Sequence, residues 1–322
     1  MKTLKLLPLV LVLSACQTMS VKSMQGETAY AINEKDATIS MIDTATDRVV
    51  GIIPASGRLG DEINATVIDN DEQFLYVVDA DAAELIKVDL ATRQVANRLA
   101  IGEGVEGLDI SPDGKTLVVC EEEATTVSFI DVASFSVTAT LKVMGDAPEH
   151  CVYSPDGKWV VASQESSDSV DVIDAINPKI IRTLPAAGHP RGMGFTPDGT
   201  KLYVANESEN VTEVWNTFDW TLLTTINTGE RSNGVKVSSD GKRVYISGGK
   251  SYTVDVIDTD GDFVIKSIPV GERPWNMGLT SDDSKLYVAN GRSHTISVID
   301  TKKLEVIETI PVGKMPWGVY IP

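Results

Sequence analysis

Reactive side chains are few in this chain, and they fall in a few short stretches. The histidines are His150, His189 and His294, and the cysteines are Cys16, Cys120 and Cys151. Glu149 and His150 are adjacent, and Arg191 lies further along. A carboxylate or imidazole can activate water while a guanidinium stabilises an oxyanion, so Glu149, His150 and Arg191 are the catalytic candidates. His150, His189 and Glu149 are also a candidate ligand set for copper or zinc. The third stretch is Arg273-Pro274-Trp275, with a second tryptophan, Trp317, near the C-terminus. Arginine beside tryptophan suits a planar anion, held by stacking and paired hydrogen bonds.

Complete catalytic motifs are missing. There is no nucleophile elbow, metalloprotease helix or phosphate-binding loop. Asp258-Thr259-Asp260-Gly261-Asp262 opens like a calcium loop but lacks the downstream glutamate, and reads as an ordinary turn.

The elements that must hold these residues come from an internal repeat. Ser40-Met41-Ile42-Asp43 returns as Ile86-Lys87-Val88-Asp89, Ser128-Phe129-Ile130-Asp131, Asp171-Val172-Ile173-Asp174, Glu213-Val214-Trp215-Asn216, Asp255-Val256-Ile257-Asp258 and Ser297-Val298-Ile299-Asp300. The last residues of these strings are spaced by 46, 42, 43, 42, 42 and 42. A turn of the Ser-Pro-Asp-Gly-Lys type precedes every copy but the first, around Asp71, Asp113, Asp156, Asp198, Asp240 and Asp282. Such residues supply a preset φ, a side-chain turn bond and a permissive backbone. Alternating runs such as Lys285-Leu286-Tyr287-Val288-Ala289-Asn290 follow each turn and have the period of a strand. Seven units of four short strands predict an all-β, seven-bladed β-propeller over residues 27–322.

The first unit lacks an opening strand, while the chain ends in Trp317-Gly318-Val319-Tyr320-Ile321-Pro322, which matches the opening strand of the other units. The C-terminus is therefore expected to supply the innermost strand of the N-terminal blade. That closes the ring and removes two open sheet edges.

The units Val270-Gly271-Glu272-Arg273-Pro274-Trp275, Leu286-Tyr287-Val288-Ala289-Asn290 and Val298-Ile299-Asp300-Thr301 resemble the YVTN-repeat β-propeller family. The Arg-Pro-Trp segment resembles the branch associated with PQQ-dependent catabolism. The resemblance implies the fold and a link to a periplasmic oxidative, quinone-dependent pathway. It also admits lactonases among the relatives, with Glu149, His150 and Arg191 as the residues to test. Fold alone does not assign function.

Counting seven residues back from each turn acid gives equivalent positions at the mouth of the central channel: Asn64, Glu106, Glu149, Arg191, Asn233 and Trp275, with Trp317 completing the ring. Five of the seven differ in type from the tryptophan pair, as a tailored pocket requires. The face is also divided in charge. Acids such as Asp79, Glu121, Glu165 and Glu207 fall in blades two to five, and Arg231, Lys250, Arg273 and Arg292 in blades six and seven. Cys120 aligns with alanine and serine and Cys151 with methionine and valine, so both read as core positions, and their pairing is left open. His150 stands where Gly107, Gly192, Gly234 and Gly318 hold the other units, so its ring must point somewhere particular.

The N-terminus reads as an address. Lys2 and Lys5 precede an apolar run over residues 6–13, too short to span a bilayer as a helix but suited to a secretory signal. Leu13-Ser14-Ala15-Cys16 resembles the bacterial lipobox, which implies a signal peptide at 1–15, lipidation of Cys16 and a tether over 16–26. By that resemblance, Gln17 favours the outer membrane. The chain carries a net charge of -18, and -20 once residues 1–15 are removed, so nucleic acid is not expected as a partner.

These features predict an exported, lipid-anchored propeller facing the periplasm, a binding or scaffold protein rather than an enzyme, with no cofactor. Its partner is expected to be an envelope protein or a small anionic ligand. The alternatives are a lactonase-type hydrolase and a copper- or zinc-binding propeller.

Overall fold

The computed structural model describes residues 26–322, so the proposed signal peptide, Cys16 and most of the tether lie outside the described residues. Twenty-eight strands, β1 to β28 in chain order, form seven antiparallel four-stranded sheets. Residues 28–53 supply three strands of the first blade, β1 (Thr28–Asn33), β2 (Thr38–Asp43) and β3 (Arg48–Ile53). The fourth is β28 (Pro316–Tyr320), which pairs with β1 through Tyr30–Tyr320, Ala31–Val319 and Ile32–Gly318. The ring is closed by the C-terminal strand, as the repeat predicts.

Residue choice follows the depth of each strand. In the last blade, β25 (Lys285–Asn290) and β26 (Thr295–Asp300) are buried almost throughout. They lie between neighbouring blades, so both faces need apolar side chains. The outer strand β27 (Glu305–Pro311) is mostly exposed, and only Ile310 is buried. The turn residues act through their side chains. Thr280 Oγ1 donates to Asp282 Oδ1 at 2.8 Å, and Asp282 Oδ1 accepts from Ser284 N at 2.9 Å. The acid closing each third strand works the same way, with Asp300 Oδ1 accepting from Lys303 N at 2.8 Å.

Neighbouring blades are clasped by the repeated Lys-Leu-Tyr segment. Lys201 Nζ donates to Asp262 Oδ2 at 2.8 Å and Tyr203 Oη to Asp262 Oδ1 at 2.6 Å. The same clasp crosses the seam of the ring, where Lys285 and Tyr287 both donate to Asp47. Glu27 adds a further tie, accepting from Ser281 N at 3.0 Å.

Candidate functional site

The seven innermost strands are β4 (Ile63–Ile68), β8 (Val105–Ile110), β12 (Pro148–Tyr153), β16 (Pro190–Phe195), β20 (Ser232–Val237), β24 (Pro274–Leu279) and β28. Asn64, Glu106, Glu149, Arg191, Asn233, Trp275 and Trp317 are each the second residue of one of them. All but Glu149 line a chamber of about 160 Å³ at the channel mouth. A deeper chamber of about 200 Å³, more apolar, contains Asp109 and Cys151. His150, Asn276 and Trp317 border both, and form the partition between them.

The partition follows from the third residue of each inner strand. A Cβ on Gly107 would sit 2.6 Å from Glu149 O, and one on Gly234 2.5 Å from Trp275 O, so the next blade's backbone excludes a side chain there. His150 and Asn276 occupy this register with a side chain. The His150 ring stacks on Trp317, with centroids 5.8 Å apart and planes at 29°. Burial pushes the imidazole pKa down, against the pull of Glu106 and Glu165, so the ring is neutral near pH 7.

Arg191 is surrounded by carboxylates. Its Nη1 donates to Glu207 Oε2 at 2.9 Å and lies 3.4 Å from Glu165 Oε1, while Nη2 donates to Glu149. Glu106 stands 3.8 Å away. Glu149 is 1% exposed, and its Oε2 has no partner among the described residues. His150 Nε2 approaches Glu149 only to 3.9 Å. Glu149 and Arg191 are thus locked to each other, which removes a free base and a free oxyanion donor from the proposed catalytic trio. His189 is on the rim, half exposed, with Nδ1 2.6 Å from Glu165 Oε1. Among the described residues, no three His, Cys, Asp or Glu side chains are arranged to hold a metal ion. Cys120 and Cys151 are both buried free thiols in one apolar cluster.

Arg273 differs from Arg191. It is 18% exposed, donates no hydrogen bond to a described residue, and comes no nearer to a carboxylate than 4.0 Å, at Glu207. Its guanidinium carbon lies 5.6 Å from the centre of the Trp275 ring. Burial lowers its pKa, opposed by Glu207, and the like charges of Arg191, Arg231 and Arg292 lower it further.

A second ring gathers some acids that the sequence already assigns to this face, Glu165 and Glu207 among them, with positions that it does not. The residue following each second strand is Glu34, Ala80, Glu122, Glu165, Glu207, Gly249 and Gly291 in turn around the ring. Glutamate therefore marks blades one, three, four and five, and glycine marks six and seven. A Cβ on Gly291 would sit 2.9 Å from Trp275 Cζ3, and one on Gly249 3.7 Å from Arg273 Cδ. Gly291 makes the room in which Trp275 lies, whereas a Cβ at Gly249 would make only ordinary contact. Aligning this position across the repeat would have exposed the pattern; Glu34 escaped because it looks like an ordinary loop acid. Glu62 and Asn276 also line the mouth unanticipated.

The family description for the cytochrome D1 heme domain matches residues 24–232, more than half of the chain. The chain belongs to the cytochrome D1 heme domain family. A second description, the seven-bladed β-propeller lactonase, matches residues 175–306. No curated protein matches this family member. Among solved structures, a functionally unknown protein from Desulfotomaculum acetoxidans aligns with a TM-score of 0.80 at 19% identity, over 92% of this chain and 99% of that one. Hydrazine synthase from Kuenenia stuttgartiensis gives 0.77 at 21%, over 90% and 99%. The dihydro-heme d1 dehydrogenase NirN in complex with DHE gives 0.69 at 14%, over 96% and 77%. At these identities the likeness is one of fold.

A heme is the group that the family name implies, and the mouth can be tested for it. The chamber of about 160 Å³ is smaller than the roughly 300–1,000 Å³ of sites that enclose drug-sized ligands. The imidazole at the mouth, His150, carries Trp317 against its ring and has Nε2 toward Glu149. Glu34, Glu62 and Glu106 line the wall, where they would repel the carboxylates of a heme. The residues lining this inner chamber do not fit an enclosed heme.

Proposed function

We propose that this protein is a binding propeller that captures a small anionic ligand at its channel mouth, with Arg273 and Trp275 as the anchor. The observation that carries this reading is Arg273 itself, a half-buried guanidinium with open donors, beside an aromatic ring whose place Gly291 leaves free. A half-buried cation without a hydrogen-bonded partner is unfavourable, and a carboxylate presented to it in paired geometry relieves that. A carboxylated quinone or a peptide C-terminus has this chemistry, which agrees with a place in a periplasmic oxidative pathway.

Binding is favoured over lactone hydrolysis by the state of Glu149 and Arg191, which hold each other. We further propose that Cys16 is lipidated and ties the propeller to a bacterial envelope membrane, the outer one being favoured by Gln17. Labelled palmitate should be incorporated by the parent chain and not by Cys16→Ala.

The test of binding is native mass spectrometry of protein purified gently from its own periplasm. A bound small acid is expected on the parent protein and absent from Arg273→Gln. Equal occupancy in the two would move the site elsewhere, and turnover of a lactone panel by purified protein would favour the hydrolase.

A further inference from the structure

We propose that the ligand is a zwitterion, whose carboxylate meets Arg273 while its amine meets the acidic wall that blades one to three give the same chamber, at Glu34, Glu106 and Asn64. This rests on the anion-binding reading and extends it to the other half of the chamber.

The acidic wall has more acceptors than donors. Glu34, Glu62 and Glu106 all line the chamber. Lys35 serves two of them, lying 3.2 Å from Glu34 and bonded to Glu62. The cation nearest Glu106 is Arg191, 3.8 Å away and already hydrogen-bonded to Glu149 and Glu207. Burial raises the Glu34 pKa, and the nearby Glu62 and Glu106 raise it further, against Lys35. Glu122, next to this wall, is raised by burial and by Glu106 and Glu165. Two cations, Lys35 and Arg191, thus serve the three carboxylates of this wall, and Arg191 is shared with Glu149, Glu165 and Glu207.

Asn64 is an independent sign. It is 3% exposed, it lines the same chamber, and its Oδ1 accepts from no described residue. A buried amide oxygen without a donor is unfavourable unless a guest supplies one. A guest that fits is an organic ammonium. It carries three N–H donors, enough for Asn64, Glu34 and Glu106, and Trp317 offers its ring at the edge of the same chamber.

Isothermal titration with straight-chain ω-amino acids of increasing length scans the distance across the mouth. At each length the n-alkylamine and the n-alkylcarboxylate serve as single-headed controls. At one length the amino acid is expected to bind at least about tenfold more tightly than either control. Glu106→Gln should reduce it toward the carboxylate, and Arg273→Gln toward the amine. If carboxylates bind as tightly as amino acids at every length and Glu106→Gln changes nothing, the zwitterion is wrong and the anion site stands. If neither carboxylates nor amino acids bind, or amines alone match them, both readings fall. Unchanged thermal unfolding of the two variants shows that they are folded.

Discussion

Lys285 Nζ and Asp47 Oδ2 meet at 2.7 Å although 238 residues separate them in the chain. Tyr287 donates to the same carboxylate, so one aspartate joins the last blade to the first. Asp47→Ala leaves two partly buried donors without their acceptor, and is expected to cost about 1–3 kcal/mol. Urea unfolding measures it; a change near zero would mean that solvent replaces the clasp.

Ring closure depends equally on the last strand. Removing residues 315–322 uncovers the edge of β1 and deletes Val319 and Ile321, both buried. Burial of two such side chains contributes about 1.5–3 kcal/mol each. The truncated chain is expected to melt well below the parent and to self-associate through the open edge, as size-exclusion chromatography can show.

Arg191 should behave as a structural cation. Arg191→Ala strands the Glu149 carboxylate, 1% exposed, without its positive partner, at a cost of about 3–5 kcal/mol. Adding Glu149→Gln should recover a large part of that loss. A full thermodynamic cycle without such recovery would show that the two side chains act independently.

The two kinds of mouth glycine should fail differently. Gly291→Ala drives a methyl group against the Trp275 ring, a side chain that can move, so ligand affinity should fall while stability holds. Gly192→Ala collides with the backbone carbonyl of Asn233, which cannot move alone, and should cost about 1–3 kcal/mol. Thermal melts alongside titrations separate the two.

Asp109 gives a pH signature. Burial raises its pKa to about 6, against hydrogen bonds from Tyr153 and Ile110. The folded protein therefore holds this proton more tightly than the unfolded chain, whose carboxylate has a pKa of about 3.9. The resulting penalty is absent below pH 4, grows between pH 4 and 6, and is complete above. Asp109→Asn keeps an acceptor for Tyr153 N, 2.7 Å away, and removes the charge. It should stabilise by about 1 kcal/mol at pH 8, less than the full shift implies because the channel is open to water, and by nothing at pH 4. Equal effects at both values would assign the gain to packing.

The fold was legible because its instructions are local and repeated. Each turn acid, alternating run and closing aspartate acts within one hairpin, and Trp317 to Ile321 carry the pattern of an inner strand. The inner-strand positions from Asn64 to Trp317 were legible for the same reason, since equal spacing puts them at equal places. What Arg191 does there was not, because its partners come from two inner strands and two turns spread over three blades. The place of Trp275 beside Arg273 depends on an absent side chain, at Gly291, and an absence is read only by comparison across blades.

Glu27 grips Ser281 in a turn that leaves an inner strand at its far end, opposite the second residues that ring the mouth. The chain thus comes into the ring at the back of the disc. The tethering proposed at Cys16 would hold the body from that side and turn its mouth outward, like a dish on a stalk, so that a ligand could arrive from open solution or from the surface of another protein without passing the point of attachment.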